Sequence, residues 1–159
     1  MNLSEDIQAE AFRLGFQLAG FSNPEIPKHI GVYQTWLREN RHATMNYLAT
    51  PLALEKRTSP SLILPECQTI LSLGIHYSPP DKLGLVNVTN LPVGRIAAYA
   101  WGNDYHEELI QRLLLLVDHI EHITNHALPN RYYTDTGPVL ERDIAAQAGL
   151  GWIGKNTCL

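Results

Sequence analysis

At 159 residues the chain has room for one domain with a hydrophobic core, and 45% apolar against 18% charged residues is the balance of a globular fold. A formal charge of −4 gives no general attraction to nucleic acid, so any such contact must come from a local basic patch or a missing part. Two distant cysteines, Cys67 and Cys158, argue against a disulfide framework; no leader-like N-terminus and no apolar run of ~20 residues is present, so a reducing, cytoplasmic setting is expected.

Ser4 ahead of Glu5-Asp6 predicts a first helix, with Ile7, Ala11, Leu14 and Leu18 on its inward face. A short strand through Ala19-Gly20-Phe21 follows, broken by Asn23-Pro24. Residues 29–39 read as a second helix with Tyr33, Trp36 and Leu37 turned inward, then short helical pieces at 45–48 and 52–57, punctuated by Pro51 and Pro60, and another ended by Pro65. Residues 68–77 carry the clearest strand signal, 78–92 a surface loop, and 94–100 the next strand. The longest helix is predicted over 104–122, capped by Asn103 or Asp104, with Glu107 and Glu108 at its positive end. Leu109, Leu113, Leu116 and Ile120 form its apolar stripe, and Leu114, Leu115 and Val117 widen it toward full burial. A strand ending near Thr134, a turn over 134–138 and a helix over 139–148 capped by Gly149 complete the order. That order lacks the regular strand–helix alternation of a doubly wound sheet.

The last quarter is the densest in special residues. Gly149-x-Gly151-x-x-Gly154 has the spacing of a dinucleotide fingerprint, but that motif needs a strand before the glycines and a helix after them. Here a helix precedes them. Gly149-x-x-x-x-Gly154-Lys155 approaches a phosphate-binding loop, yet Asn156 stands where Ser or Thr would hold magnesium. His119, His122 and His126 share part of a helical face, but histidines near a helix C-terminus are favoured by the dipole alone, and no metal site is expected. Tyr99, Trp101, Asp104, Tyr105 and His106 crowd a junction entering the long helix, where binding residues concentrate.

Three separated motifs carry a family resemblance: Arg95 to His106 (RIAAYAWGNDYH), Asp135 to Arg142 (DTGPVLER) and Ala148 to Thr157 (AGLGWIGKNT). Together with Met45-Asn46-Tyr47-Leu48, Arg57 and the strand from Ile70 to Tyr77, they resemble epoxyqueuosine reductase over nearly the whole chain. The resemblance implies an α+β fold with a mixed, largely antiparallel sheet flanked by helices, similar to flavin-reductase- and nitroreductase-like cobalamin-binding domains. It further implies a cobalamin-dependent reductase that removes the epoxide oxygen from epoxyqueuosine in tRNA, with two 4Fe–4S clusters on a ferredoxin-like domain.

No Cys-x-x-Cys-x-x-Cys run is present, so residues 1–159 are expected to be the N-terminal substrate- and cobalamin-binding domain alone, without the ferredoxin-like domain. Taken by itself the chain is then expected to bind cobalamin weakly and not to turn over, to act as a monomer without a membrane, and to rely on a separate iron–sulfur domain. A non-catalytic corrinoid-binding module, or a fragment of a corrinoid-processing reductase, is the alternative.

By resemblance, Asp135 is the candidate general acid, its proton held by burial against an apolar corrin face; the bland alternative is a cap before Pro138. Arg142, Gly154, Lys155, Asn156 and Thr157 are implied to contact cofactor, with Glu141–Arg142 as an alternative structural ion pair. Asp104, Tyr105 and His106 are implied to line the substrate or corrin pocket. Arg57 and Arg95 are either surface cations or contacts to tRNA phosphate.

Overall fold

Asn2, not Ser4, starts the first helix. Helix α1 (Leu3–Arg13) begins with the Asn2 N–H donating to the Glu5 carboxylate at 3.0 Å, and Glu5 and Asp6 lie in its first turn. The helix stops sooner than its apolar spacing suggests because Gly15 takes φ +93, a left-handed conformation open to glycine at little cost. Gly15 N–H donates to Phe12 O at 3.0 Å and Phe16 N–H to Ala11 O at 3.1 Å, a Schellman closure that drops Phe16 onto Ala11 in the core. Leu18, expected on the helix face, is instead the exposed first residue of strand β1 (Leu18–Ser22).

The computed structural model describes residues 2–77, 94, 96–100 and 102–159. The loop expected over 78–92, and the expectations for Arg95 and Trp101, lie outside the described residues. Strand β1 pairs antiparallel with β2 (Ile70–Gly74), Leu18 opposite Gly74 and Ser22 opposite Ile70. Among the described residues the fold is α+β, with this two-stranded antiparallel sheet and five α-helices. The broader mixed sheet is thus reduced in two places. The described part of the expected strand at 94–100 contains a 3-10 turn, Ala98–Ala100, and the chain before Thr134 runs without ladder partners.

Helix α2 (Ile30–Arg38) matches its expected span, with Tyr33, Trp36 and Leu37 half-buried. Helix α3 (Pro51–Thr58) starts as its sequence demands, the Thr50 hydroxyl accepting from Ala53 N–H and Pro51 at the first helical position. Helix α4 (Tyr105–Thr124) is capped by Asp104 and closed by Asn125 in the left-handed region. Leu116 is fully buried with Ile7, Ala11, Phe16 and Ala19, and Leu109, Leu113 and Ile120 pack against that cluster. Leu114 and Leu115 remain exposed, contrary to the expected wide stripe. At about 100° of rotation per residue they lie about 200° and 100° round from Leu116, whereas the core stripe occupies a narrow arc. No described helix is long and apolar enough to cross a membrane.

Helix α5 (Glu141–Gln147) ends in a second Schellman closure, Gly149 at φ +77 donating to Ala146 O and Leu150 to Ala145 O, both at 3.1 Å. That end presses on the middle of β1. A Cβ at Gly20 would lie 2.6 Å from the Ala148 carbonyl oxygen and 2.8 Å from the Leu150 side chain. The α5 flank holds the segment entering α2. Buried Asp143 accepts from the His29 N–H at 3.0 Å through one oxygen and meets His29 Nδ1 at 2.5 Å through the other.

Two stability outcomes follow from these contacts. Gly20→Ala should lower stability by about 1–3 kcal/mol, because strand and helix must move apart. Ala at Gly31, where the added carbon meets open space, should leave the urea midpoint unchanged or raise it. Asp143→Ala should cost about 1–3 kcal/mol in the same urea series, through the unpaired His29 N–H.

Candidate functional site

Beneath β2, between α4 and the segment leading into α5, lies an open cleft of about 1400 Å³. Its walls are mainly apolar, built from Ile7, Phe21, Leu71, Leu73, Leu113 and Leu116 among others. Its polar groups gather at one side, where the first turn of α4 meets the 133–142 segment. Tyr105, Asp135, Glu141 and Arg142 all line it there.

Local backbone geometry sets this corner. Asp104 caps α4, its carboxylate accepting from the His106 N–H at 2.9 Å and meeting the His106 ring at 2.8 Å. Those two hydrogen bonds hold the Asp104 pKa below the usual carboxylate value. With Asp104 and His106 tied to each other, Tyr105 is the residue of the three that lines the cleft. Its ring stacks on His106 at 4.1 Å between centroids and meets the edge of Tyr99 at 6.4 Å. Opposite, Asp135 sits at φ +56, a left-handed conformation that Asp tolerates better than most residues. Two residues on, Gly137 is buried against the Tyr133 ring, where a Cβ would come within 2.6 Å of Cγ.

The Tyr105 hydroxyl donates to Asp135 Oδ2 at 2.5 Å. This bond, then partial burial and the nearby negative charge, push the Tyr105 pKa up to about 12. Glu141, the first residue of α5, brings its carboxyl within hydrogen-bonding reach of Asp135. Crowding by surrounding protein raises the Glu141 pKa, the Asp135 carboxylate pushes it the same way, and Arg142 opposes both. Solvent still reaches part of Glu141. The corner therefore offers a phenol and two carboxyls in contact, a set suited to holding and releasing a proton beside an apolar cleft.

The other expected site residues fall elsewhere. Asp135 is exposed, so the burial anticipated for it is not provided by the described residues. Arg142 lines the cleft, but its guanidinium donates to the Thr157 carbonyl, tying the last turn to α5. Gly154, Lys155, Asn156 and Thr157 form that turn outside the cleft lining. Gly154 N–H donates to Cys158 O at 2.8 Å, and Asn156 Oδ1 accepts from Cys158 N–H at 3.2 Å. Asn156 folds over Gly154 so closely that a Cβ there would meet Oδ1 at 2.9 Å, so the glycine answers a need of the turn itself. Arg57 is remote from the cleft, its guanidinium 5.6 Å from the Tyr33 ring centre and donating to Ala53 O. Among the described residues no three His, Cys, Asp or Glu side chains gather as metal ligands.

Sequence reasoning treated Glu141 only as half of an ion pair with Arg142, and missed Asp143. Their spacing was the available signal: two acids in the first turn of a short helix exceed what its dipole needs.

An α+β chain that sets a tyrosine and two carboxyls on the rim of a large apolar cleft has the layout of an enzyme domain that handles a bulky ligand and a proton. A family model described as "Epoxyqueuosine reductase QueG, DUF1730" matches residues 57–136. The chain belongs to the epoxyqueuosine reductase family. It is 36% identical over 155 residues to epoxyqueuosine reductase from Pseudomonas aeruginosa, covering 98% of this chain and 42% of that protein. Against the solved epoxyqueuosine reductase from Streptococcus thermophilus it is 30% identical with a TM-score of 0.79, over 98% of this chain and 41% of the other. The fold also matches, at 24% identity and a TM-score of 0.72, an epoxyqueuosine reductase crystallised with an epoxyqueuosine-modified tRNA-Tyr stem loop, over 99% of this chain and 40% of that one. The chain thus spans about two fifths of the length of these relatives.

The Tyr105–Asp135 bond has a direct optical readout. Asp135→Asn should lower the pH at which one of the seven tyrosines ionises, from about 12 toward the ordinary value of 10.0, in an ultraviolet phenolate titration. Tyr105→Phe should remove that high step altogether.

Proposed function

We propose that this chain forms the cobalamin-binding, substrate-facing part of an epoxyqueuosine reductase that converts epoxyqueuosine to queuosine in tRNA. The observation that carries the reading is the Tyr105–Asp135 pair on the rim of the apolar cleft, in a chain of this family. The cleft suits a corrinoid: its volume of about 1400 Å³ exceeds what a drug-sized ligand needs, and its walls can cover an apolar macrocycle face. Bound there, the cofactor would supply a strongly reducing cobalt, with electrons coming from 4Fe–4S clusters on a ferredoxin-like part of the protein.

The residues of this chain supply the proton chemistry. Asp135 is the general acid for the departing epoxide oxygen, and its exposure leaves it accessible to a substrate entering over the rim. A ligand covering that rim would desolvate the carboxyl and favour its protonated form. Tyr105 fixes one Asp135 oxygen through its 2.5 Å hydrogen bond and so aims the other. Arg142 at the cleft wall and Lys155 on the adjoining turn are the cationic candidates for the amide and phosphate periphery of the cofactor, with Gly154, Asn156 and Thr157 shaping that turn. Asp104 and His106 act by holding Tyr105, and Arg57 is a candidate contact for tRNA phosphate on a separate face.

The reading extends to architecture and setting. The two-stranded sheet is taken as part of a mixed, flavin-reductase-like cobalamin-binding domain, acting as a monomer in the cytoplasm on tRNA. The test is complementation of a strain lacking the reductase with the gene encoding this chain in its own reading frame, read as queuosine in digested tRNA. Queuosine should return, and Asp135→Asn should reduce its rate of formation by about 10²-fold or more. No queuosine from the unaltered gene, or an undiminished Asp135→Asn variant, would overturn the reading.

A further inference from the structure

We infer that Glu141 is a positioning residue for the acid at position 135: the two carboxyls hold one proton between them, and Glu141 resupplies Asp135 after each transfer. The inference rests on the functional reading above for what the proton is used for, but the carboxyl pair itself stands on geometry. Both side chains line the same cleft, and the Glu141 carboxyl lies within hydrogen-bonding reach of Asp135. Two carboxylates in such contact do not both ionise easily, so the pair retains a proton at a pH where either alone would lose it.

The surroundings decide which partner carries it at rest. Tyr105 on α4 donates to Asp135 Oδ2 and so favours the charged form of Asp135. Glu141 receives no such donor from Tyr105. It is crowded, faces the Asp135 charge and is opposed by Arg142 beside it, so the proton rests on Glu141. When Asp135 delivers a proton, its O–H bond breaks as the leaving oxygen gains one. The Glu141 O–H bond then breaks as Asp135 regains a proton, and no electrons pass between protein groups. Arg142 lies beside the glutamate left negative by this step, so its charge accommodates the emptied state. The backbone keeps the two groups facing each other, Asp135 by its left-handed φ and Gly137 by its seat on Tyr133, while Glu141 opens the helix that follows.

The test is carboxyl-carbon NMR of the chain labelled at Asp and Glu, titrated across the acidic range for the unaltered protein and for Asp135→Asn and Glu141→Gln. In the unaltered chain the resonances of Asp135 and Glu141 should move together through two shared steps. Asp135→Asn should leave Glu141 with a single step at lower pH, and Glu141→Gln should leave Asp135 with a single step. Independent titration of the two carboxyls, or a Glu141 curve unchanged in Asp135→Asn, would overturn the inference whatever the enzyme's activity. In the complementing gene product, Glu141→Gln should hold its rate toward acidic pH and fall by about 10-fold or more toward alkaline pH, where solvent is a poor proton source. An equal loss at every pH would mark Glu141 as merely structural and count against the inference, while leaving the role of Asp135 intact.

Discussion

The contact between β1 and the end of α5 is the constraint on which the site depends. Helix α5 has seven residues and is about 10 Å long, so fixing one end leaves little freedom at the other. One end is fixed at Gly20, where strand backbone and helix cap approach too closely for a side chain. The other end carries Glu141 and Arg142 to the cleft. Asp143 adds a lateral tie to His29, and Gln147 reaches the Ile26 carbonyl at 3.4 Å, so the segment entering α2 is gathered by the same short helix. A strand, a second helix and the acid corner therefore share one positional reference.

Charge at the corner is organised by hydrogen bonding more than by deep burial. Asp135 remains exposed and Glu141 only partly shielded, yet the phenol of Tyr105 and the facing carboxyl bias where a proton rests. Such a site is sensitive to what covers it. A ligand closing over the rim would remove water from both carboxyls together and strengthen every interaction among them. The apolar cleft beside it supplies area for such a ligand, and α4 supplies a rigid wall through its buried Leu116 and its half-buried flank.

Much of this was readable in the chain because the signals were local. The cap at Asp104, the Thr50-Pro51 helix start and the glycine closure at Gly149 depend on a few neighbouring residues, and each appears where its chemistry requires. Errors arose where a periodic pattern met a decision made elsewhere. Leu18 continues the heptad-like spacing of α1, but Gly15 had already turned the chain. Leu114 and Leu115 look like core residues in composition, yet only one side of α4 finds a packing partner among the described residues. At the site, Asp135 and Tyr105 were named from motifs, but their bond spans 30 positions and no spacing rule reaches that far. The Asp143–His29 contact spans 114 positions and was invisible for the same reason.

The left-handed backbone at position 135 has a practical corollary for anyone probing this acid by replacement. Most side chains resist that conformation, so an alanine, valine or glutamate there would disturb the loop as well as delete the carboxylate, and the two effects would be inseparable. Asparagine shares both the shape and the tolerance for this dihedral region, which makes it the interpretable substitution. Glycine would relax the turn while emptying it of chemistry, and so reports on the loop alone.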